Sequence, residues 1–449
     1  LILPTATALA VVLTAQHALA AGFAIREQSG TAQTSAFAGA TAAAKDISYM
    51  FFNPATLALH KGTQTHASLS YIIPEAEFKD GEAQTSAAIG GGIPIGGAAT
   101  SGDIGDDALV PAAYLSHEIA DGVAFGLGVN APFGLTTEND DGWIGRYHAL
   151  RSELTTVNIN PAVGIRASKQ FAFGLGIQLQ YVDTELTNAI DFGSIGAASG
   201  IGGAVPTQQD GEVELEADDW GVGFNLGALY MPSDQTRFGL AFRSEIDHTA
   251  DGSADFTNDD AGIAAQINAG TGLFADTGAK ADVTTPATIS AGAYHEYDNG
   301  LALMAEVAWT DWSAFEELRV EFDNPLQGDN VTAEDWNDSW FVALGASYKL
   351  SPDFRISGGV AFDETPIPDD TRTPRVPGSN RYWIAVGGEY DLTSSISLNA
   401  SYTHIFMEDG DVDLEAGVDP EGENFFRGDL SGSFENQIDI FTIGGTVRF

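Results

Sequence analysis

Residues 171–181 read FAFGLGIQLQY, a run in which Phe171, Phe173, Leu175, Ile177, Leu179 and Tyr181 alternate with Ala172, Gly174, Gly176, Gln178 and Gln180. Successive side chains of a strand point to opposite sides, so one face of this run is apolar and the other small or polar. The same alternation precedes it, with Val157, Ile159, Val163 and Ile165 opposite Thr156, Asn158, Asn160 and Arg166, and it returns at Trp220, Val222, Phe224, Leu226 and Tyr230 and at Leu301, Leu303, Val307 and Trp309. Strands of a soluble sandwich alternate too, but they average about five or six residues. These runs reach about ten, the length a tilted strand needs to cross a bilayer. The apolar face is therefore read as facing lipid and the polar face as lining a lumen.

Outward from this stretch, about fourteen such runs begin near 63, 109, 121, 154, 171, 219, 236, 284, 300, 338, 353, 381, 394 and 437. Very short turns fall near Asp121, Lys169, Asp234, Asn299, Pro352 and Thr393, and the links between them are long and acidic. Short periplasmic turns and long extracellular links are the asymmetry of bacterial outer-membrane barrels. The fold class is thus an all-β transmembrane antiparallel barrel, with both termini on the periplasmic side. The final run, FTIGGTVRF, ends on Phe449, and a terminal aromatic on an amphipathic strand is similar to the signal read by the barrel-assembly machinery.

Composition sets the remaining bounds. Of 449 residues, 44% are hydrophobic and 18% charged, which fits one large barrel. Outside the extreme N-terminus no stretch approaches the roughly 18 apolar residues of a spanning helix. Residues 1–20 end in Ala18-Leu19-Ala20, the form of a signal-peptidase site, so a signal peptide is expected there. Cysteine is absent, which excludes disulfides and thiolate metal sites. A net charge of −44, from 63 acidic and 19 basic residues, excludes nucleic acid as a partner. The acidic segments 136–141, 247–260 and 408–423 read as solvated loops. Asp409, Asp411 and Asp413 could offer oxygen donors to calcium, but they lack an EF-hand register, and a solvated loop bridged to lipopolysaccharide by divalent cations is the preferred reading. No metal site and no cofactor are assigned. The pair Gly221 and Gly223 lies within an alternating strand rather than at a strand-to-helix turn, so it reads as small residues making room in the lumen, not as a phosphate loop. No Gly-x-Ser-x-Gly elbow is present and the eight His are scattered, so an enzyme is not expected.

Residues 29–46 are mostly Ser, Gly, Ala and Thr, too poor in large apolar groups to fold without walls to pack against. After them Asn53 can cap a short helix that starts at Pro54 and continues through Ala55 to His60; a capped turn in a linker is the plainer alternative.

Several segments resemble the FadL family of outer-membrane long-chain fatty acid and hydrocarbon transporters. They are Ala21-Gly22-Phe23 with the small-residue stretch to Lys45-Asp46, Asn53-Pro54-Ala55, the run PFGLTTENDDGWIGRYHALRSELTTVNINPAVGIR from Pro132 to Arg166, FRSE at 242–245, WTDWSAFEEL at 309–318, FDETPIP at 362–368, and Arg381-Tyr382-Trp383. The resemblance runs in order along the whole chain after the signal segment. It implies an N-terminal hatch, residues 21–61, inside a barrel formed by 62–449. It also implies a hydrophobic ligand, most simply a long-chain fatty acid, that lands on the extracellular links, passes to a lumen site beside the hatch, and leaves through a gap in the wall.

A fatty acid needs an apolar slot and a donor for its carboxylate. With so few basic residues in the chain, the lumen-facing arginines stand out: Arg243, Arg372 and Arg381, with Arg146 and Arg151 in the long link after the third strand. Each could instead pair with a carboxylate and brace the lumen. The parity of its strand puts Trp383 on the same face as Arg381. Phe23 resembles the family residue that inserts beside the ligand, and anchoring the hatch is its plainer role. Where fatty-acid transporters of the family carry further basic residues, this chain has Asp183 and Asn337, which favours a neutral or aromatic hydrocarbon as the alternative solute. The other readings are a general porin and a structural or adhesive surface protein. A monomer in contact with outer-membrane lipid and lipopolysaccharide is expected.

Overall fold

The computed structural model describes residues 22–419 and 422–449, so the signal segment expected over 1–20 lies outside the described residues. Nearly every strand run of the sequence becomes part of one closed sheet. Its segments are β1 (Thr63–Gln84), β2 (Ala108–Ala120), β3 (Val123–Asn130), β4 (Gly134–Glu138), β5 (Arg151–Arg166), β6 (Phe171–Asp191) and β7 (Asp210–Tyr230). They continue as β8 (Thr236–Arg243), β9 (Ile246–Thr257), β10 (Thr277–Thr285), β11 (Thr288–Glu296), β12 (Leu301–Thr310), β13 (Glu317–Phe322) and β14 (Asn330–Ala333). The last are β15 (Ser339–Ser351), β16 (Phe354–Asp363), β17 (Arg381–Thr393), β18 (Ile396–Met407), β19 (Gly410–Leu414) and β20 (Asp429–Arg448).

Six crossings of the wall are built from two segments each, so the barrel has fourteen antiparallel crossings. It closes where β1 pairs β20, from Gln64↔Arg448 to Gln84↔Asp429. Closure leaves no sheet edge, as a membrane barrel requires. The outer face carries Leu175, Ile177, Val222, Leu344 and Ile384, each well exposed, while their neighbours Gln178, Asn225, Ala343 and Ala385 are buried toward the lumen. Aromatic pairs mark the rims, with Phe171–Tyr230 at 5.1 Å beside a periplasmic turn and Tyr181–Trp220 at 5.3 Å at the opposite end. This parity and these girdles place the chain in the bacterial outer membrane.

The acidic segments depart from the sequence reading. Residues 247–260 were expected to be a solvated loop, yet most of them form β9, and β4 and β19 likewise occupy parts of 136–141 and 408–423. The strands continue beyond the membrane, where the outer face meets water. There Asp247, Asp251 and Asp255 point out while Ala250 and Ala254 are fully buried. For the same reason the runs expected to start near 219, 284, 338 and 437 belong to crossings that start at Asp210, Thr277, Asn330 and Asp429.

The N-terminal segment lies inside this wall. Its small residues are almost wholly buried from Ser29 to Ala44, and it carries a short helix at Gly30–Gln33 and 3-10 turns at Ile47–Phe51 and Pro54–Leu59. The hatch and the wall approach so closely that a Cβ on Gly227 would sit 2.0 Å from Asn53 Oδ1. Glycine is required at that point of the wall.

Candidate functional site

The hatch is fastened by polar groups on short local structures. Asn53 caps the turn at Pro54–Leu59, its Oδ1 accepting from Ala55 N–H at 2.9 Å, and its Nδ2 donates to the carbonyls of Thr41 at 2.8 Å and Ala228 at 3.1 Å. One residue therefore closes the turn, ties two parts of the hatch together and reaches the wall. Lys45 Nζ meets Glu389 at 2.7 Å, and Thr41 N–H donates to the buried Glu306 carboxylate at 3.0 Å.

The N-terminal end meets the wall where it is interrupted. β3 stops at Asn130 and β4 resumes at Gly134; β3 pairs β2 from Ala113↔Val129 to Ala120↔Val123, while the ladder of β4 is with β5 alone. Pro132, which has no N–H, lies in this bend. The hatch supplies the missing partner, for Ile25 N–H donates to Pro132 O and Gly134 N–H donates to Phe23 O, both at 2.8 Å. Phe23 then points into an aromatic cage, with ring centroids 4.8 Å from Trp312, 5.6 Å from Phe315, 5.7 Å from Trp336 and 5.9 Å from Phe133. Trp312 and Phe315 fall within the WTDWSAFEEL segment, but sequence reading assigned them no role. Trp336 was missed entirely; a Trp in a polar link was its only sequence signal.

Trp336 is held by Glu334, whose carboxylate accepts its Nε1–H at 2.8 Å. Burial pushes the Glu334 carboxyl up to about 8. Asp183 and Asn337 are both exposed, and Asp183 lies on the outer face.

Beside the cage lies a narrow lumen cavity of about 100 Å³, lined by Phe37, Phe51, Phe52, Phe133, Arg26 and Arg243 among others. Arg243 is braced: it donates to Gln178 Oε1 and to Phe51 O and lies 4.3 Å over the Phe51 ring. Arg26 lies 3.8 Å over the ring of Phe341. It was not singled out in the sequence, because it sits in the hatch rather than on an alternating strand.

Arg381 and Trp383 begin β17 on its lumen face, as parity required, at 1% and 3% exposure. They do not line the cavity itself. They connect to it through shared neighbours, for Trp383 packs on Phe341, the ring under Arg26, at 6.2 Å and on the cavity residue Phe37 at 6.1 Å. Arg381 faces Asp363 across the β16–β17 pair with Nη1 3.9 Å from its carboxylate. Its Nε and Nη2, and Nε1 of Trp383, are buried without a hydrogen-bond partner among the described residues. Buried donors of this kind normally find an acceptor.

The other arginines are committed elsewhere. Arg372, buried in the link before β17, donates to Asp369, Asp411 O, Gly378 O and Ile367 O. Arg146 binds Asp210, Gly96 O, Trp143 O and the Tyr147 hydroxyl. Arg151 is ringed by Glu138, Glu153 and Glu185. The structure thus places Arg243 on the wall of the lumen cavity, Arg381 and Trp383 behind it and Phe23 at its edge; Arg146 and Arg372 lie in links, and Arg151, read as part of a link, instead begins β5. Phe449 ends the closing strand, its N–H donating to Thr63 O at 2.9 Å and its side chain exposed. Above the lumen, the extended ends of β6, β7, β9 and β13 border a groove of about 990 Å³ with Ile190, Val213, Phe256, Phe274 and Phe322 on its walls.

Comparison with known proteins matches residues 11–449 to a family model described as "Outer membrane protein transport protein (OMPP1/FadL/TodX)". The chain is 26% identical to the long-chain fatty acid transport protein of Escherichia coli strain K12, over 89% of this chain and 91% of that protein. Among solved structures, a FadL homologue of Pseudomonas aeruginosa superposes with a TM-score of 0.85 at 23% identity, covering 95% of this chain and all of the other (100%). The toluene transporter TodX of Pseudomonas putida gives a TM-score of 0.66 at 16% identity, covering 95% and 99%. These structural likenesses concern the fold.

Proposed function

The chain belongs to the outer-membrane transport family of FadL and TodX, and from that membership we propose that it carries long-chain fatty acids across the outer membrane and releases them sideways into the bilayer. The observation that carries the fatty-acid reading is the pair of unpartnered donors on Arg381 beside the unpartnered Nε1 of Trp383. A carboxylate can accept from such donors, whereas a hydrocarbon accepts from none. The groove above the lumen captures the solute, and the narrow lumen cavity lies on its path past the hatch. Phe23, Arg243, Arg381 and Trp383 are the proposed ligand-contacting residues.

The exit follows from polarity. Beneath the hatch the lumen opens into a cavity of about 330 Å³ lined by Lys45, Asp46, Arg237, Glu296, Arg355 and Glu389, a poor path for methylenes. The bend between β3 and β4 leads to lipid, where each buried CH₂ gains about 0.8 kcal/mol. Withdrawal of Phe23–Ile25 would open that bend and empty the cage in one movement. Transport rather than catalysis, in a monomer inserted by the barrel-assembly machinery through its Phe449 strand and surrounded by lipopolysaccharide, completes the proposal.

A second reading, uptake of aromatic hydrocarbons, is favoured by the cage of Trp312, Phe315, Trp336 and Phe133 around Phe23. Uptake of labelled oleate and toluene by cells carrying Arg381→Ala or Phe23→Ala separates the two. The fatty-acid reading expects Arg381→Ala to impair oleate alone. Toluene uptake with no oleate uptake in the unaltered protein would overturn it in favour of the second reading.

A further inference from the structure

At membrane depth every backbone N–H and C=O of a barrel must pair with a neighbouring strand or be covered by protein, because lipid offers no other partner. One seam, remote from the β3–β4 bend, departs from continuous pairing. β7 pairs β8 from Asn225↔Arg243 to Tyr230↔Phe238, and pairs β9 from Glu212↔Thr257 to Asp218↔Asp251. Between the two ladders, residues 219–224 and 244–250 face each other without ladder pairing. The links across the interval are Ser244 N–H to Phe224 O at 2.9 Å, Phe224 N–H to Ser244 Oγ at 2.9 Å, and Thr249 N–H to the Asp219 carboxylate at 3.3 Å.

The interval lies in the outer half of the membrane. Its upper end is at Trp220, part of the outer aromatic rim, and Val222 and Phe224 continue the lipid-facing row below it. From the lumen side it is backed by Ile246 and His248, both buried, which lie directly against Gly221 and Gly223. A Cβ on Gly221 would be 2.3 Å from Ile246 Cγ2 and 2.7 Å from His248 Cε1, and one on Gly223 would be 2.7 Å from Ile246 Cγ1. His248 Nε2 meets Gln180 Oε1 at 3.0 Å, while its Nδ1 lies 3.4 Å from the Asp219 carboxylate. The lower lip of the interval opens on the lumen cavity, for Asn225, Phe242 and Arg243 line it.

We infer that this seam is a second lateral portal, through which the lumen cavity exchanges an apolar chain with the outer leaflet, with Ile246 and His248 as its gate. Opening it breaks no ladder pair, only the isolated bond from Ser244 N–H to Phe224 O and the two bonds to side chains. The β3–β4 bend opens only when the hatch gives up its two backbone hydrogen bonds to the wall. The glycine pair serves the gate by letting the two side chains lie flat against β7. This inference rests on the transport reading above and extends it with a route that bypasses the extracellular groove.

The test uses the full chain in liposomes with a stearic acid carrying a diazirine. Because the protein has no cysteine, the variant Gly223→Cys/Ile246→Cys forms a single disulfide across the seam. The expected result is photolabelling of residues 246–248 in the unaltered protein, competed by unlabelled stearic acid, and a several-fold loss of that labelling in the oxidised variant that reduction restores. Labelling around Phe133 should persist in both states. A companion variant, Ile246→Ala/His248→Ala, should label faster, and it keeps the test decisive if the cysteine pair fails to show heat-modifiable folding. Labelling at Phe133 with none at the seam, or seam labelling unaffected by either variant, overturns the portal and leaves the transport reading standing. No competed labelling anywhere in the unaltered protein overturns both.

Discussion

The link that carries Arg372 and the strand that starts at Arg381 bury a guanidinium almost equally, at 2% and 1% exposure, yet they use it in opposite ways. Arg372 spends its donors on Asp369 and on the backbone carbonyls of Ile367, Gly378 and Asp411, and so staples its link to β19. Arg381 lies among the buried carboxyls of Asp363, 3.9 Å away, and Glu27, and keeps two donors with no hydrogen-bond partner among the described residues. Burial alone therefore does not mark a ligand residue in a barrel lumen. Unused hydrogen-bonding capacity does, since a buried donor without an acceptor costs about 1–3 kcal/mol unless something supplies one.

The largest expected effect breaks the stapled side of this comparison. Arg372→Ala should destabilise the barrel by about 3–5 kcal/mol, because several buried carbonyls lose their donor at roughly 1–3 kcal/mol each. Heat-modifiable gel mobility checks this, and unchanged mobility would mean that the link is held by other contacts. Arg381→Ala should also cost some stability, because Asp363 and Glu27 lose a charged neighbour, but its distinctive effect should be oleate binding weaker by about 1.5–3 kcal/mol, the worth of a hydrogen bond to a charged group. Calorimetric titration of the purified barrel measures that loss.

Glu334 sharpens the contrast from a third side, as a buried acid with one donor. Its carboxyl lies near 8 in the folded chain against an ordinary 4.5, so the folded state holds the extra proton between those values. Its contribution is complete below pH about 4.5 and is lost as pH rises through about 8. Trp fluorescence should accordingly report a loosening of the Phe23 cage as pH is raised through that window. Glu334→Gln should lie within about 1 kcal/mol of the unaltered protein at pH 6 and show no such loosening. Loosening that persists in the Gln variant would assign the titration to another group. The smallest expected effect is that of Arg381→Lys, which keeps the charge but loses the planar fork, and should restore only part of the oleate affinity.

Most of the wall was legible because lipid imposes a strict parity on every crossing strand. Phe171–Tyr181 shows it without exception, and Arg381 with Trp383 was placed on the lumen face by the same count. Above the membrane the outer face turns acidic, the apolar signal disappears, and β9 therefore read as a loop although its buried Ala250 and Ala254 keep the alternation. The Asn53 cap was local and therefore readable. The aromatic cage was not, because Phe23, Phe133, Trp312 and Trp336 come from distant parts of the chain and meet only when the hatch is docked. Nor could sequence separate Arg381 from Arg372, since the difference lies in which carbonyls the folded link brings within reach.

The central claim is that the free donors of Arg381 receive a ligand carboxylate, and the measurement that bears on it most directly is the ratio of affinities for oleate and for its methyl ester. The unaltered protein should prefer the acid by roughly 10- to 150-fold, the equivalent of about 1.5–3 kcal/mol. In Arg381→Ala that preference should fall close to unity while ester binding is retained. An unchanged ratio in Arg381→Ala, or no preference for the acid in the unaltered protein, would contradict the claim.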